Sequence, residues 1–126
     1  MRSFRLLAER LAIVRLDASS PAPTWPAGPF VSVTRTSAEL SIVCDEGSVP
    51  PAIASEGGWR ALQLEGVFDL DETGIAAHFA GVLATSGVAV FIIATHDTDY
   101  VLVREARLAE ALSALRAAGY RIRDTD

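Results

Sequence analysis

Between Gly87 and Arg104 two apolar runs flank a short polar knot. Val88, Val90 and Ile92 alternate with Ala89, Phe91 and Ile93, so both faces of the first run are apolar, the pattern of a strand covered on both sides. Tyr100 to Val103 forms a second strand-like run. Upstream, Ile75, Phe79, Val82 and Leu83 recur at helical spacing until Ser86-Gly87, a helix stop. Downstream, Glu105 to Ala118 places Leu108, Leu112 and Leu115 on one face, Gly119 ends that helix, and Tyr120 to Arg123 returns as a strand. With Arg60 to Glu65 as an alternating strand in front, the order from Trp59 is βαββαβ. That order predicts an α+β, ferredoxin-like unit, an antiparallel sheet with both helices on one face.

The first half reads differently. Phe4 to Leu16 fits either a helix or a strand, and its β-leaning end marks Leu11 to Leu16 as strand. Asp17 to Pro29 carries Pro21, Pro23, Pro26 and Pro29 and cannot join a ladder, so it predicts a loop with Trp25 as a surface plug. Phe30 to Thr36 and Leu40 to Cys44 read as two strands. Thr36-Ser37-Ala38-Glu39 between them matches a capping box, which predicts one helical turn. Asp45 to Gly58, with Pro50 and Pro51, is a second loop and the module boundary. The expected organisation is a strand-rich unit over residues 1–57 and a complete βαββαβ unit over 58–126.

Composition narrows the function classes. A chain of 126 residues suits one domain, or two small modules, with enough core to fold without disulfides or structural metal. Its net charge of -5 and lack of a basic cluster argue against nucleic acid. Arg2, Arg5, Glu9, Arg10 and Arg15 interrupt the apolar amino terminus, and no run reaches the roughly 20 residues of a membrane span, so neither a signal peptide nor a membrane partner is expected. The single cysteine, Cys44, sits in the run LSIVC as a small buried hydrophobe, which suits a reducing cytoplasm.

Candidate chemistry lies in two places. In the knot, His96, Asp97 and Asp99 sit between Thr95 and Thr98. On an extended chain His96 and Asp97 point apart, whereas Asp97 and Asp99 share a side. Two carboxylates make a poor metal site, which leaves a turn whose Asp and Thr groups satisfy the backbone, or an anionic pocket for a cation such as the ammonium of an amino acid. The second place is Asp71-Glu72-Thr73-Gly74-Ile75, where a helix start suits a ligand carboxylate and Gly74 permits close approach. Ordinary capping by Asp71 or Thr73 accounts for the same residues. His78 reads as a rim residue. There is no nucleophile elbow, no histidine beside Cys44 and no phosphate loop, so the residues support neither an enzyme nor a cofactor.

Taken together, these residues make the chain resemble the ACT family of amino-acid-binding regulatory domains, in particular the small bacterial tandem-ACT proteins related to the CASTOR-type arginine sensors. SVTRTSAELSIVCDE (Ser32 to Glu46), GWRALQLEG (Gly58 to Gly66), the TGI at Thr73 to Ile75, and GVAVFIIATHDTDYVLVRE (Gly87 to Glu105) carry the resemblance. It implies a non-enzymatic, cytoplasmic sensor that holds a free amino acid between ACT modules, with residues 1–57 as an abbreviated ACT-like unit and a homodimer completing the interface. It also implies ligand contacts at Thr73, Gly74 and Ile75, at Ala89 and Val90 through their backbone, and at Asp99, with Asp97 alongside. Thr73 replaces the family's common loop proline, and Ala89 replaces a small hydroxyl position. The alternative is an ACT fold without ligand that serves only to pair.

Overall fold

A computed structural model describes residues 2–124. The elements are β1 (Ser3–Leu16), β2 (Ser32–Arg35), β3 (Leu40–Asp45), β4 (Glu56–Leu64), α1 (Ile75–Thr85), β5 (Phe91–Ala94), β6 (Asp99–Arg104), α2 (Leu108–Ala117) and β7 (Arg121–Asp124). They form two compact units. One is Glu9–Trp59; the other joins residues 2–8 to residues 60–124, so each unit takes part of β1 and part of β4.

In the larger unit the sheet order is β7, β1, β4, β6, β5. β5 and β6 form an antiparallel hairpin, with Phe91 opposite Leu102 and Ala94 opposite Asp99. The βαββαβ succession stands as expected, with one difference in pairing. Ser3–Leu6 of β1 runs parallel to Arg121–Asp124 of β7, so the first strand of the chain lies between β7 and β4. Phe4 and Leu6, Leu62 and Leu64, and Val101 and Val103 alternate onto one face and pack with Phe79, Leu83, Ala111 and Leu115 of the two helices. Phe4 meets the Phe79 ring edge-on at 5.5 Å.

Both helices stop in the same way. Gly87 and Gly119 are left-handed, and the next residue turns back so that the Val88 N–H reaches Leu83 O and the Tyr120 N–H reaches Leu115 O, each at 3.0 Å. This throws Val88 and Tyr120 into the core, both nearly fully buried.

In the smaller unit, β1 from Leu11 to Leu16 pairs antiparallel with β3, which pairs antiparallel with β2. Val14, Leu40, Ile42 and Cys44 form its core, with Trp25, Val49 and Ile53 from the two proline-bearing loops packed against them. Trp25 is thus a half-buried cover on that core. The loops are tied down by polar bonds: Arg35 Nη2 donates to Ser20 O (2.8 Å) and the Asp45 N–H to Ala27 O (3.0 Å).

Several local expectations are corrected. β1 begins at Ser3 and not at Leu11, because pairing with β7 overrides the helical period of FRLLAERL. The capping-box segment is no helical turn: the Thr36 hydroxyl accepts from the N–H groups of Ala38 and Glu39 and closes the β2–β3 hairpin. β4 starts at Glu56, inside the stretch expected to be loop. Val88 to Val90 lie outside the ladder, and β5 begins at Phe91. No helix among the described residues is long and apolar enough to cross a membrane.

Candidate functional site

The knot is the β5–β6 turn, and its threonines are used up in building it. The Thr95 hydroxyl donates to Thr98 O (3.0 Å) and accepts from the Thr98 N–H (3.4 Å), while the Thr95 N–H also reaches Thr98 O (2.9 Å). The Thr98 hydroxyl, 7% exposed, donates to Leu64 O of β4. The carboxylates are left outside this bonding. Asp97 pairs with His96 Nδ1 at 2.9 Å on the exposed rim, and Asp99 is half-buried at the start of β6. His96 and Asp97 do meet, contrary to the extended-chain expectation, because residues 95–98 turn.

Across from the turn is the start of α1. Neither Asp71 nor Thr73 caps it; the N-cap position is Gly74 at φ 81°, and no side chain accepts from the first turn. That left-handed backbone is easy only for glycine, and a Cβ there would meet open space. The first turn carries no acidic residue, so its free N–H groups and positive dipole end remain available. The loop before the helix is fixed by Phe68, whose N–H donates to Asp97 O at 2.9 Å.

Two cavities share Gly74 and Ile75 as a common wall. The smaller, about 270 Å³, is lined by Gly74 to Ala77, by the turn from Ala94 to Asp99, and by Phe68, Asp69, Leu70 and Glu72. The larger, about 490 Å³, is lined by Arg2, Thr73 to Ile75, His78 and Ala118 to Tyr120. There His78 Nδ1 and the Tyr120 hydroxyl share a short hydrogen bond. Burial raises the Tyr120 phenol above its ordinary range, opposed in part by the Arg2 charge.

Of the residues picked from sequence, Gly74, Ile75, Asp97 and Asp99 come together in the smaller cleft, and Thr73 lies in the larger cavity. Ala89 and Val90 line neither: Ala89 is exposed and Val90 packs against the helical core. Sequence reading missed Arg2, Phe68 and Tyr120, and took Glu72 only as part of the helix-opening junction. Arg2 and Glu72 meet across 70 residues of sequence, which no local pattern signals. Among the described residues no group of three or more His, Cys, Asp or Glu is placed to hold a metal.

Fold and cleft define a ferredoxin-like α+β domain with an opening at its first helix. The chain belongs to the ACT domain family, whose model matches residues 54–117. Residues 9–52 match a second family model, described as an N-terminal domain. Among solved structures, protein Atu0741 from Agrobacterium tumefaciens is 36% identical over 99% of this chain and 94% of its own, with a TM-score of 0.92. A Vibrio cholerae protein of unknown function, a possible transport protein, is 22% identical over 92% of this chain and 88% of its own, with a TM-score of 0.73. The ligand-free regulatory subunit of aspartate kinase from Thermus thermophilus is 12% identical over 87% of this chain and 91% of its own, with a TM-score of 0.58. The last two share the fold. No curated protein sequence is matched.

Proposed function

We propose that this chain is a non-enzymatic regulatory module that binds a free amino acid in the smaller cleft. One observation carries the reading: a single cleft presents the uncapped start of α1 on one side and Asp97 and Asp99 on the other. An amino acid is a zwitterion. Its carboxylate suits the N–H groups after Gly74, and its ammonium suits the aspartates. At about 270 Å³ the space lies just under the usual range of small-molecule sites, roughly 300–1,000 Å³, which favours a small metabolite.

Within this proposal the protein works in the cytoplasm as a homodimer, residues 1–57 act as an abbreviated ACT-like unit, and the relation to tandem-ACT arginine sensors is one of architecture. Ligand contacts are assigned to Gly74, Ile75, Asp97 and Asp99, with Thr73 at the margin. A thermal-shift screen against the standard amino acids tests the reading, since a ligand at 100 times its Kd stabilises by about 2.7 kcal/mol. Asp99→Asn should reduce the shift. No shift with any amino acid, and no heat on calorimetric titration, would sink it. A second reading, a ligand-free pairing module, draws on Val67 and Leu70, 76% and 75% exposed beside the cleft. A concentration-independent dimer indifferent to every amino acid would favour that one.

A further inference from the structure

Asp45 ends β3 with a carboxyl left out of the bonding around it. Its N–H donates to Ala27 O (3.0 Å), and its carbonyl accepts from the Ser48 hydroxyl (2.9 Å), which itself accepts from the Ala27 N–H (3.2 Å). These three bonds lace the Asp17–Pro29 loop to the end of β3 without using the Asp45 side chain. Among the described residues no donor reaches Asp45 Oδ1, and that oxygen is shut off from solvent. An ionised carboxylate only accepts, so a buried oxygen without a donor opposes the charge.

Gly28 makes the seal. Its φ is 114°, and a Cβ there would fall 2.3–2.6 Å from Asp45 Cγ, Oδ1 and Oδ2, so only the bare Cα of a glycine can lie against the carboxyl. Glu9 and Arg10 of β1 and Glu46 beyond β3 line the same cavity of about 490 Å³ as Asp45. Arg10 Nε pairs with Glu46 Oε2 at 3.2 Å, and Glu46 Oε1 accepts from the Gly58 N–H at 2.9 Å. Ala27 and Gly28, the loop residues met here, are uncharged. Burial first, and the like charge of Glu9 second, hold the Asp45 carboxyl above its ordinary value of 3.8.

We propose that Asp45 is a proton-operated latch on the Asp17–Pro29 loop: neutral, it lets Gly28 close over the carboxyl, and ionised, it loosens the loop from β3. With the loop goes Trp25, which covers the core of Val14, Leu40, Ile42 and Cys44. A raised carboxyl value means that the closed loop prefers the neutral acid. Closure is therefore firmest below 3.8, weakens as pH rises to the folded midpoint, and stays at that weaker level above it. Acid tightens the loop. The latch lies within the smaller unit and does not depend on the amino-acid cleft.

Heteronuclear NMR on the full chain tests this in two readings, the titration of the Asp45 carboxyl carbon and the exchange protection of the Ala27 and Asp45 amides. The midpoint should lie above 3.8, and loop opening, taken from protection at each pH, should grow about tenfold for every pH unit between 3.8 and that midpoint. In Asp45→Asn, checked for folding by circular dichroism, protection should exceed wild type at neutral pH and no longer vary with pH. Gly28→Ala, which props the seal off the carboxyl, should bring the midpoint back toward 3.8. A midpoint at or below 3.8 overturns the latch, as does protection that is flat in wild type or falls equally in Asp45→Asn. The two wild-type readings decide the matter even where a variant does not fold.

Discussion

The two units bury one kind of surface in two ways. In the larger, Phe79, Leu83, Ala111 and Leu115 bring two helices down on the sheet; in the smaller, Trp25, Val49 and Ile53 come from loops held by Arg35, Ala27 and Asp45. A sheet face needs covering whatever the means, and the means follow from local chemistry. The run from Ile75 to Thr85 has helical spacing and no proline, while Pro21, Pro23, Pro26 and Pro29 rule a helix out of the first connection. The difference also sets where a site can form. Helices supply unpaired termini beside strand ends, and loops pinned by their own polar bonds spend those groups on themselves.

The contrast can be broken most severely from the helical side. Phe79→Ala empties a fully buried position against Phe4 and should cost about 3–5 kcal/mol in urea unfolding, whereas Trp25→Ala, at a half-buried loop position, should cost about 1–2 kcal/mol. Equal losses would mean that the loop cover is packed as tightly as the helices. Next, Thr98→Val keeps volume but strips the buried hydroxyl that donates to Leu64 O; the expected cost is about 0.5–1.5 kcal/mol, with a smaller thermal shift in the amino-acid screen proposed above as the turn loosens.

The smallest effect concerns Glu65, whose carboxyl is held below its ordinary range chiefly by hydrogen bonds from Arg123, in a pair that ties β7 to the residue after β4. A depressed pKa adds stability above the unfolded value of about 4.5 and loses it as pH falls through the folded one. Glu65→Gln should therefore differ from wild type at pH 7, by less than about 1 kcal/mol after solvent screening, and converge on it once pH falls below the folded-state value. A difference that persists in acid would assign the contact to packing.

Much of the architecture was legible. Ile75, Phe79 and Leu83 mark α1, the Ser86-Gly87 and Gly119 stops fall where both helices end, and Gly74 with the two aspartates picks out the smaller cleft. What escaped reading depends on partners distant in sequence. FRLLAERL carries a helical period that only β7 and β4 overrule. Val88 to Val90 read as strand, yet Val88 is buried as the tail of a helix stop. Arg2 comes to line the larger cavity beside Ala118 to Tyr120 only when the first and last strands meet.

That meeting has a consequence for how the chain is made. Ser3–Leu6 is synthesised well over a hundred residues before its β7 neighbour, which arrives only with residues 121–124. At synthesis rates of roughly 5–20 residues per second, the edge Ser3–Leu6 waits on the order of ten seconds for that partner. During that interval the nascent protein carries an open strand edge bearing Phe4 and Leu6.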